Sequence, residues 1–166
     1  MIAMLLLLVS GCSSPTAQPG VSVTPTTASR EAADVPAASP TEAARQWMIH
    51  YRTRHWRDTS EAAWVDRVRP YVTDAQHARD AQLRDGTTGT DWPEFVEDRC
   101  HSAVTDVAAV VPPEAPSTVN AVNVLVSATV RTGCARGGST RTEHAVATLV
   151  VIRAPDGSFR VDERVF

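Results

Sequence analysis

Apolar and polar positions change period once along this chain, and the change divides it into a helical half and a strand half. Ala44, Trp47, Met48 and Tyr51 recur at the i, i+3, i+4, i+7 spacing of one helical stripe. Thr41 stands ahead of that stripe as a capping residue, so the spacing predicts a first helix entered there with the stripe facing inward. Asp58 followed three residues later by Glu61 predicts a capped second helix with Trp64, Val68 and Val72 on one side, and Pro70 limits how far it runs. Thr73 with Gln76 repeats the device for a third helix, with Ala75, Ala78 and Ala81 on its apolar side and Gly86 as its C-terminal stop. Gly89, Asp91, Trp92 and Pro93 read as a loop leading to Cys100.

From His101 the period falls to two, and Val, Thr and Ala dominate, as in half-buried strands. Four strands are predicted, at about 102–111, 119–132, 140–153 and 158–165. They are separated by Pro112, Pro113 and Pro116, by Gly133 with Gly137 and Gly138, and by the turn Ala154-Pro155-Asp156-Gly157. Connections this short imply an antiparallel meander. Val122, Val124, Val126, Ala128 and Val130 share one face, while Asn123, Ser127, Thr129 and Arg131 share the other, so the sheet has one dry side. The fold class is therefore α+β, with N-terminal helices packed against a curved antiparallel sheet.

Ahead of this domain the pattern is different again. The apolar run Ile2 to Val9 is too short to span a bilayer, which takes about 20 residues, and it ends in Ser10-Gly11-Cys12. Small residues followed at once by a thiol resemble the lipobox of bacterial lipoproteins. That resemblance implies a signal peptide at 1–11, removal of it, and a diacylglyceryl group on the sulfur of Cys12. No Lys or Arg precedes the run, whereas secretory signals open on positive charge, so a translation start upstream of Met1 is expected. Residues 12–40 then carry the lipidated Cys and a stretch of Pro, Ser, Thr and Ala without Leu or aromatic residues. Such a composition cannot bury enough apolar surface to offset its ordering entropy and is expected to be a disordered tether, with a mean span of about 30 Å as a flexible coil. Residues 41–166 form a single domain in this division.

The opening helix with Trp47 and Tyr51, the stretch from Trp64 to Thr73 with Arg69-Pro70-Tyr71, and the closing Asp156-Gly157-Ser158-Phe159-Arg160-Val161 resemble the nuclear-transport-factor-2-like (NTF2-like, cystatin-like cone) superfamily. The resemblance extends over most of the domain and is one of pattern, without a catalytic motif. It implies a cone fold, and a superfamily that includes isomerases, dehydratases, scaffold subunits of secretion and conjugation channels, and lipoproteins. Function must come from the site.

The residues exclude several chemistries. The chain holds 16 basic residues, all Arg, against 19 acidic ones, for a net charge of −3, which gives no pull on nucleic acid. His50, His55, His77, His101 and His144 form no HExxH or His-x-His set, and Cys100 and Cys134 have no neighbouring thiols, so no metal is expected. The Gly133 to Gly138 turn lacks the Lys and the helix of a phosphate cradle, and no cofactor is expected. Asp91, Glu94, Glu97 and Asp98 do not follow a calcium-loop spacing and read as a solvated face.

With Cys12 lipidated and the domain exported, Cys100 and Cys134 remain, and the hairpin centred near 114–117 brings them nearly opposite. A disulfide between them is expected. For catalysis, the resemblance implies a carboxylate or His in the cone, and Asp106 and His144 are the candidates. The meander puts Asp106 opposite about Val126 and His144 opposite about Thr129, roughly 14 Å apart in a flat sheet. A direct Cys100–Cys134 register puts Asp106 on the dry side, but Ala103, Thr105, Val107, Ala109 and Val111 form an equally good inward face, and Asp106 is expected outward.

These readings converge on a lipid-anchored protein at the extracytoplasmic face of the cell membrane. Its expected role is a non-catalytic binding or accessory module for an envelope protein partner or a small apolar ligand, of the secretion or conjugation type that the resemblance implies. The alternative is a ketosteroid-isomerase-like or dehydratase-like enzyme on the same face. A third reading is a membrane-surface domain, because Arg45, Arg52, Arg54, Arg57, Arg67 and Arg69 outnumber the acids across the first two helices.

Overall fold

The chain divides into two units, Met1–Ala33 and Asp34–Phe166, and the computed structural model describes residues 36–84 and 91–165 of the second. The apolar run, Cys12, most of the expected tether and the helix stop at Gly86 lie outside the described residues.

Helix α1, Pro40–Arg52, buries Ala43, Ala44, Trp47 and Met48. Its cap is Ser39, not Thr41: the Ser39 hydroxyl accepts from the Glu42 amide at 3.2 Å, and Pro40 occupies the first turn, where a missing N–H costs nothing. Thr53 closes the other end, its amide and hydroxyl both donating to the Ile49 carbonyl. Ala37, ahead of the helix, is buried too, and its carbonyl accepts from the Phe159 amide.

The expected second helix is broken into three short pieces. A 3₁₀ turn at Glu61–Ala63 leads into α2, Trp64–Val68, and Pro70 tightens the exit into a second 3₁₀ turn, Arg69–Tyr71. Asp58 does not cap it. That carboxylate accepts from the His55 amide at 2.9 Å and pairs with Arg67 at 3.0 Å, which pins the preceding loop instead.

Helix α3, Asp74–Arg84, starts on the expected device, with the Thr73 hydroxyl accepting from the Gln76 amide at 3.1 Å. Its buried face differs from the expectation: Ala75 and Ala78 are exposed, whereas Gln76 and Asp80 are buried. The expected loop before Cys100 contains a fourth helix, α4, Trp92–Glu97, which buries Phe95.

The sheet has five antiparallel strands in the order β1 to β5: Arg54–His55, Cys100–Val110, Ala121–Cys134, Thr140–Arg153 and Phe159–Val165. The four long strands lie within two residues of their predicted bounds; β1 has no periodicity of its own and exists only by pairing with His101 and Ser102. Cys100 faces Cys134 directly and is joined to it by a disulfide with a Cα–Cα distance of 3.9 Å. Two bulges curl the sheet, one in β2 between Thr105 and Ala108 and one where β5 meets Val150 and Val151. Helix α1 packs into the concavity, where Trp47 and Met48 meet Val124, Val126, Leu149, Val151 and Val161 in one core. This is a helix-filled half-barrel, the cone expected from the pattern.

Candidate functional site

The inward residues of β2, β3 and β4 change chemistry along the strands. At one end they are Ala109, Val124, Val126, Leu149 and Val151, all buried; towards the disulfide they become Ser102, Thr132, Arg141 and Glu143. At that second end the C-terminal turn of α1 with α2 and α4 encloses a cavity of about 400 Å³, with Tyr51, Trp64, Phe95 and Val130 as its apolar lining.

The polar lining of the cavity is engaged with itself. Arg52 pairs with Glu143, Arg141 lies 3.6 Å from the other oxygen of Glu143, and Arg54 lies 3.5 Å from Glu61 and 3.6 Å from Asp91. Three cations face three carboxylates, so the mouth is charged but balanced. Each pair is only partly buried and contributes about 0–1 kcal/mol. Arg54 is further held by aromatic faces, 4.6 Å from the Phe95 ring and 5.6 Å from Trp92. The hydroxyls of Ser102 and Thr132 bond each other at 2.7 Å across the strands. Among the described residues, no group of His, Cys, Asp and Glu could hold a metal ion.

Neither enzyme candidate reaches this cavity. His144 faces Thr129 in register, as expected, but on the convex side of the sheet, where it is exposed. Asp106 sits in the β2 bulge with a left-handed φ of 52°, exposed, its carboxylate accepting from the Thr105 hydroxyl at 3.1 Å. The direct register holds from Cys100 to Thr105, so Ser102 and Val104 point inward. The bulge then shifts parity, so Val107 and Ala109 point inward too. Both expected inward sets are thus half present, and Asp106 is the residue at which they exchange. The position opposite Val126 belongs to Ala109, and Asp106 lies next to the row Thr105–Thr129–His144. Two strand spacings, about 10 Å, separate it from His144, which is too far to share a proton.

The most buried ionisable group is one the sequence reading passed over. Asp80 is 0% exposed, and its Oδ1 accepts from Arg164 at 2.5 Å and from Gln76 at 2.8 Å. Burial pushes its carboxyl above the ordinary carboxylate range, against the opposing pull of Arg164 and the Gln76 hydrogen bond. Arg164 also lies over the Tyr51 and Trp64 rings, so this pair buttresses the cavity wall from behind. Glu143 carried a readable signal, as a charge in the inward phase of an Ala-Ala-Leu-Val series. Asp80 carried none, because its partner is 84 residues away.

The Arg excess of the first two helices is largely consumed internally. Arg52, Arg54 and Arg67 pair with acids, and Arg57 lies over Trp56. No helix among the described residues is long and apolar enough to cross a membrane.

Solved structures that share this fold include two that set its class. An NTF2-like protein involved in plasmid conjugation is 19% identical with a TM-score of 0.51, the match covering 75% of this chain and 46% of that one. The periplasmic domain of DotI is 8% identical with a TM-score of 0.54, the match covering 75% of this chain and 90% of that domain. The chain thus spans less than half the length of the first. No family model matches the chain, and no curated protein is similar to it in sequence. At these identities the likeness establishes the fold, an NTF2-like cone, and leaves chemistry to the residues.

Proposed function

We propose that this protein is a lipid-anchored accessory module of the bacterial envelope, held through Cys12 at the extracytoplasmic face, that contacts a protein partner of a secretion- or conjugation-type assembly and performs no chemistry of its own. One observation carries the reading: every carboxylate lining the cone cavity is ion-paired, while the two side chains suited to proton transfer, Asp106 and His144, lie off it. A balanced, polar mouth also disfavours a small apolar ligand and suits a protein surface with matching charges. The two structural neighbours, one from plasmid conjugation and one periplasmic, support the same setting.

The anchor is tested by mass spectrometry of the membrane-bound chain. The expected N-terminal peptide begins at a diacylated Cys12, and Cys12→Ala releases the chain or leaves it uncleaved. A free, unmodified Cys12 in the membrane form contradicts the anchor. The mouth is tested by Glu143→Arg, which places three cations together and is expected to release the chain from its assembly with the fold intact.

A further inference from the structure

Four cavity residues stand in one register row across the sheet: Arg54 of β1 faces Ser102, Ser102 faces Thr132, and Thr132 faces Arg141 of β4. The row ends in a cation on both sides, but the two ends differ in what surrounds them. At the β4 end the lining residues are Arg52 and Arg141 about the single carboxylate of Glu143. At the β1 end they are Glu61 and Asp91 about the single guanidinium of Arg54. The balanced charge of the cavity is therefore divided: counted over its lining residues, one wall has a cation in excess and the opposite wall a carboxylate.

The outermost charge of each wall is loosely held. Arg141 is 80% exposed and lies 3.6 Å from Glu143, and Asp91 is 67% exposed and lies 3.6 Å from Arg54, both beyond hydrogen-bond length. Neither side chain makes a hydrogen bond among the described residues, whereas Glu143 is already engaged by Arg52. Between the two walls, the hydroxyls of Ser102 and Thr132 use one O–H on each other and keep the second O–H and further lone pairs for a ligand. Tyr51, Trp64 and Phe95 add apolar surface beside them.

A ligand that matches this lining carries an ammonium at one end, a carboxylate at the other, hydrogen-bonding groups between them and an apolar side chain. Three strand spacings put the ends of the row about 14 Å apart, and the charged side chains and the curl of the sheet close part of that gap. A free amino acid, with both charges on one carbon, is too short to meet both walls. An extended tripeptide, at about 3.3–3.6 Å per residue, is of the right length, and the cavity volume lies in the range of small-ligand sites.

We propose that the cavity is a binding site for a short peptide with free termini. Its ammonium pairs with Asp91 and its carboxylate with Arg141, its amide groups bond the Ser102 and Thr132 hydroxyls, and a central apolar side chain lies against Tyr51, Trp64 and Phe95. The site goes beyond the accessory role and does not rest on it, since it needs neither the lipid nor the assembly.

The test titrates the full chain in mild detergent with Ala-Leu-Ala by calorimetry. Saturable binding below about 1 mM is expected, at least about tenfold tighter than that of the N-acetylated peptide, the C-amidated peptide or free leucine. Asp91→Asn should weaken the free peptide at least about fivefold and the acetylated one less than about twofold, because only the first brings an ammonium to that wall. Arg141→Gln should act in the same way on the free and the amidated peptide. Both side chains are largely exposed, so the two variants keep the fold. Absence of saturable binding overturns the proposal, as do blocked peptides that bind as tightly as the free one. Leucine binding as tightly as the tripeptide also overturns it and assigns the cavity to a single amino acid. A variant that weakens free and blocked peptides equally removes the assigned terminus from that wall and overturns the pairing.

Discussion

The same three strands build a dry floor at one end and a charged mouth at the other, and the two ends hold the protein together by different means. At the floor, Val124, Val126, Leu149 and Val151 close on Trp47 and Met48, each fully buried side chain contributing about 1.5–3 kcal/mol of transfer free energy. At the mouth the inward positions are polar, and the disulfide and half-exposed ion pairs replace the packing. Stability therefore resides in the floor, and surface chemistry is free to vary at the mouth. Substitutions in the two regions should separate cleanly.

The largest effect is expected from Trp47→Ala, which opens a cavity at the floor and should cost about 3–5 kcal/mol in urea unfolding. Replacing both Cys100 and Cys134 by Ser releases a 34-residue separation and should cost about 3–4 kcal/mol, with the dry core still assembled. If the double substitution instead melts the floor, the two regions are not separable. At the mouth, Glu143→Gln should cost no more than about 1 kcal/mol. At the β2 bulge, Asp106→Gly should stay within about 0.5 kcal/mol, while Asp106→Ala, forced into a left-handed conformation, should cost about 1 kcal/mol.

Two carboxylates sharpen the contrast through pH. Asp80 titrates above its ordinary 3.8 when folded, so the native state keeps a proton that the unfolded chain has released. Its stabilising contribution is complete below the unfolded value and is lost as pH rises through the folded one. Asp156 is held below 3.8 by hydrogen bonds from the Ser158 hydroxyl and amide, so its contribution is present above the unfolded value and lost as pH falls through the folded one. Urea midpoints on the acid side should therefore shift in opposite senses for Asp80→Asn and Asp156→Asn. Shifts of the same sign would show that the burial of Asp80 is not what sets its titration.

What was legible in the sequence follows from where each feature gets its energy. Strands β2 to β5 were readable within two residues because alternating burial writes itself into local order, and the first helix was readable from its stripe. Strand β1 and α4 were not, since β1 exists only through pairing and α4 is a six-residue helix with Pro93 and two acids in it. The bulge at Asp106 leaves no mark in Val-Thr-Asp-Val, and one inserted residue was enough to exchange the two candidate inward faces. The buried face of α3 was misread because its Asp80 is paired with Arg164, far along the chain, and Gln76 bonds to that carboxylate. Of the site, the disulfide was foreseeable from topology, and the ion pairs of the mouth were not.

The central claim, an anchored module that works inside an assembly, is tested most directly by the size of the particle that carries the chain. Envelopes from cells making the full chain are solubilised in mild detergent and resolved by native sedimentation with detection of the chain. The wild type should sediment in an assembly several times larger than its own detergent-bound monomer, and Cys12→Ala should be absent from that fraction. A wild type found only as a monomer in every envelope fraction would contradict the account.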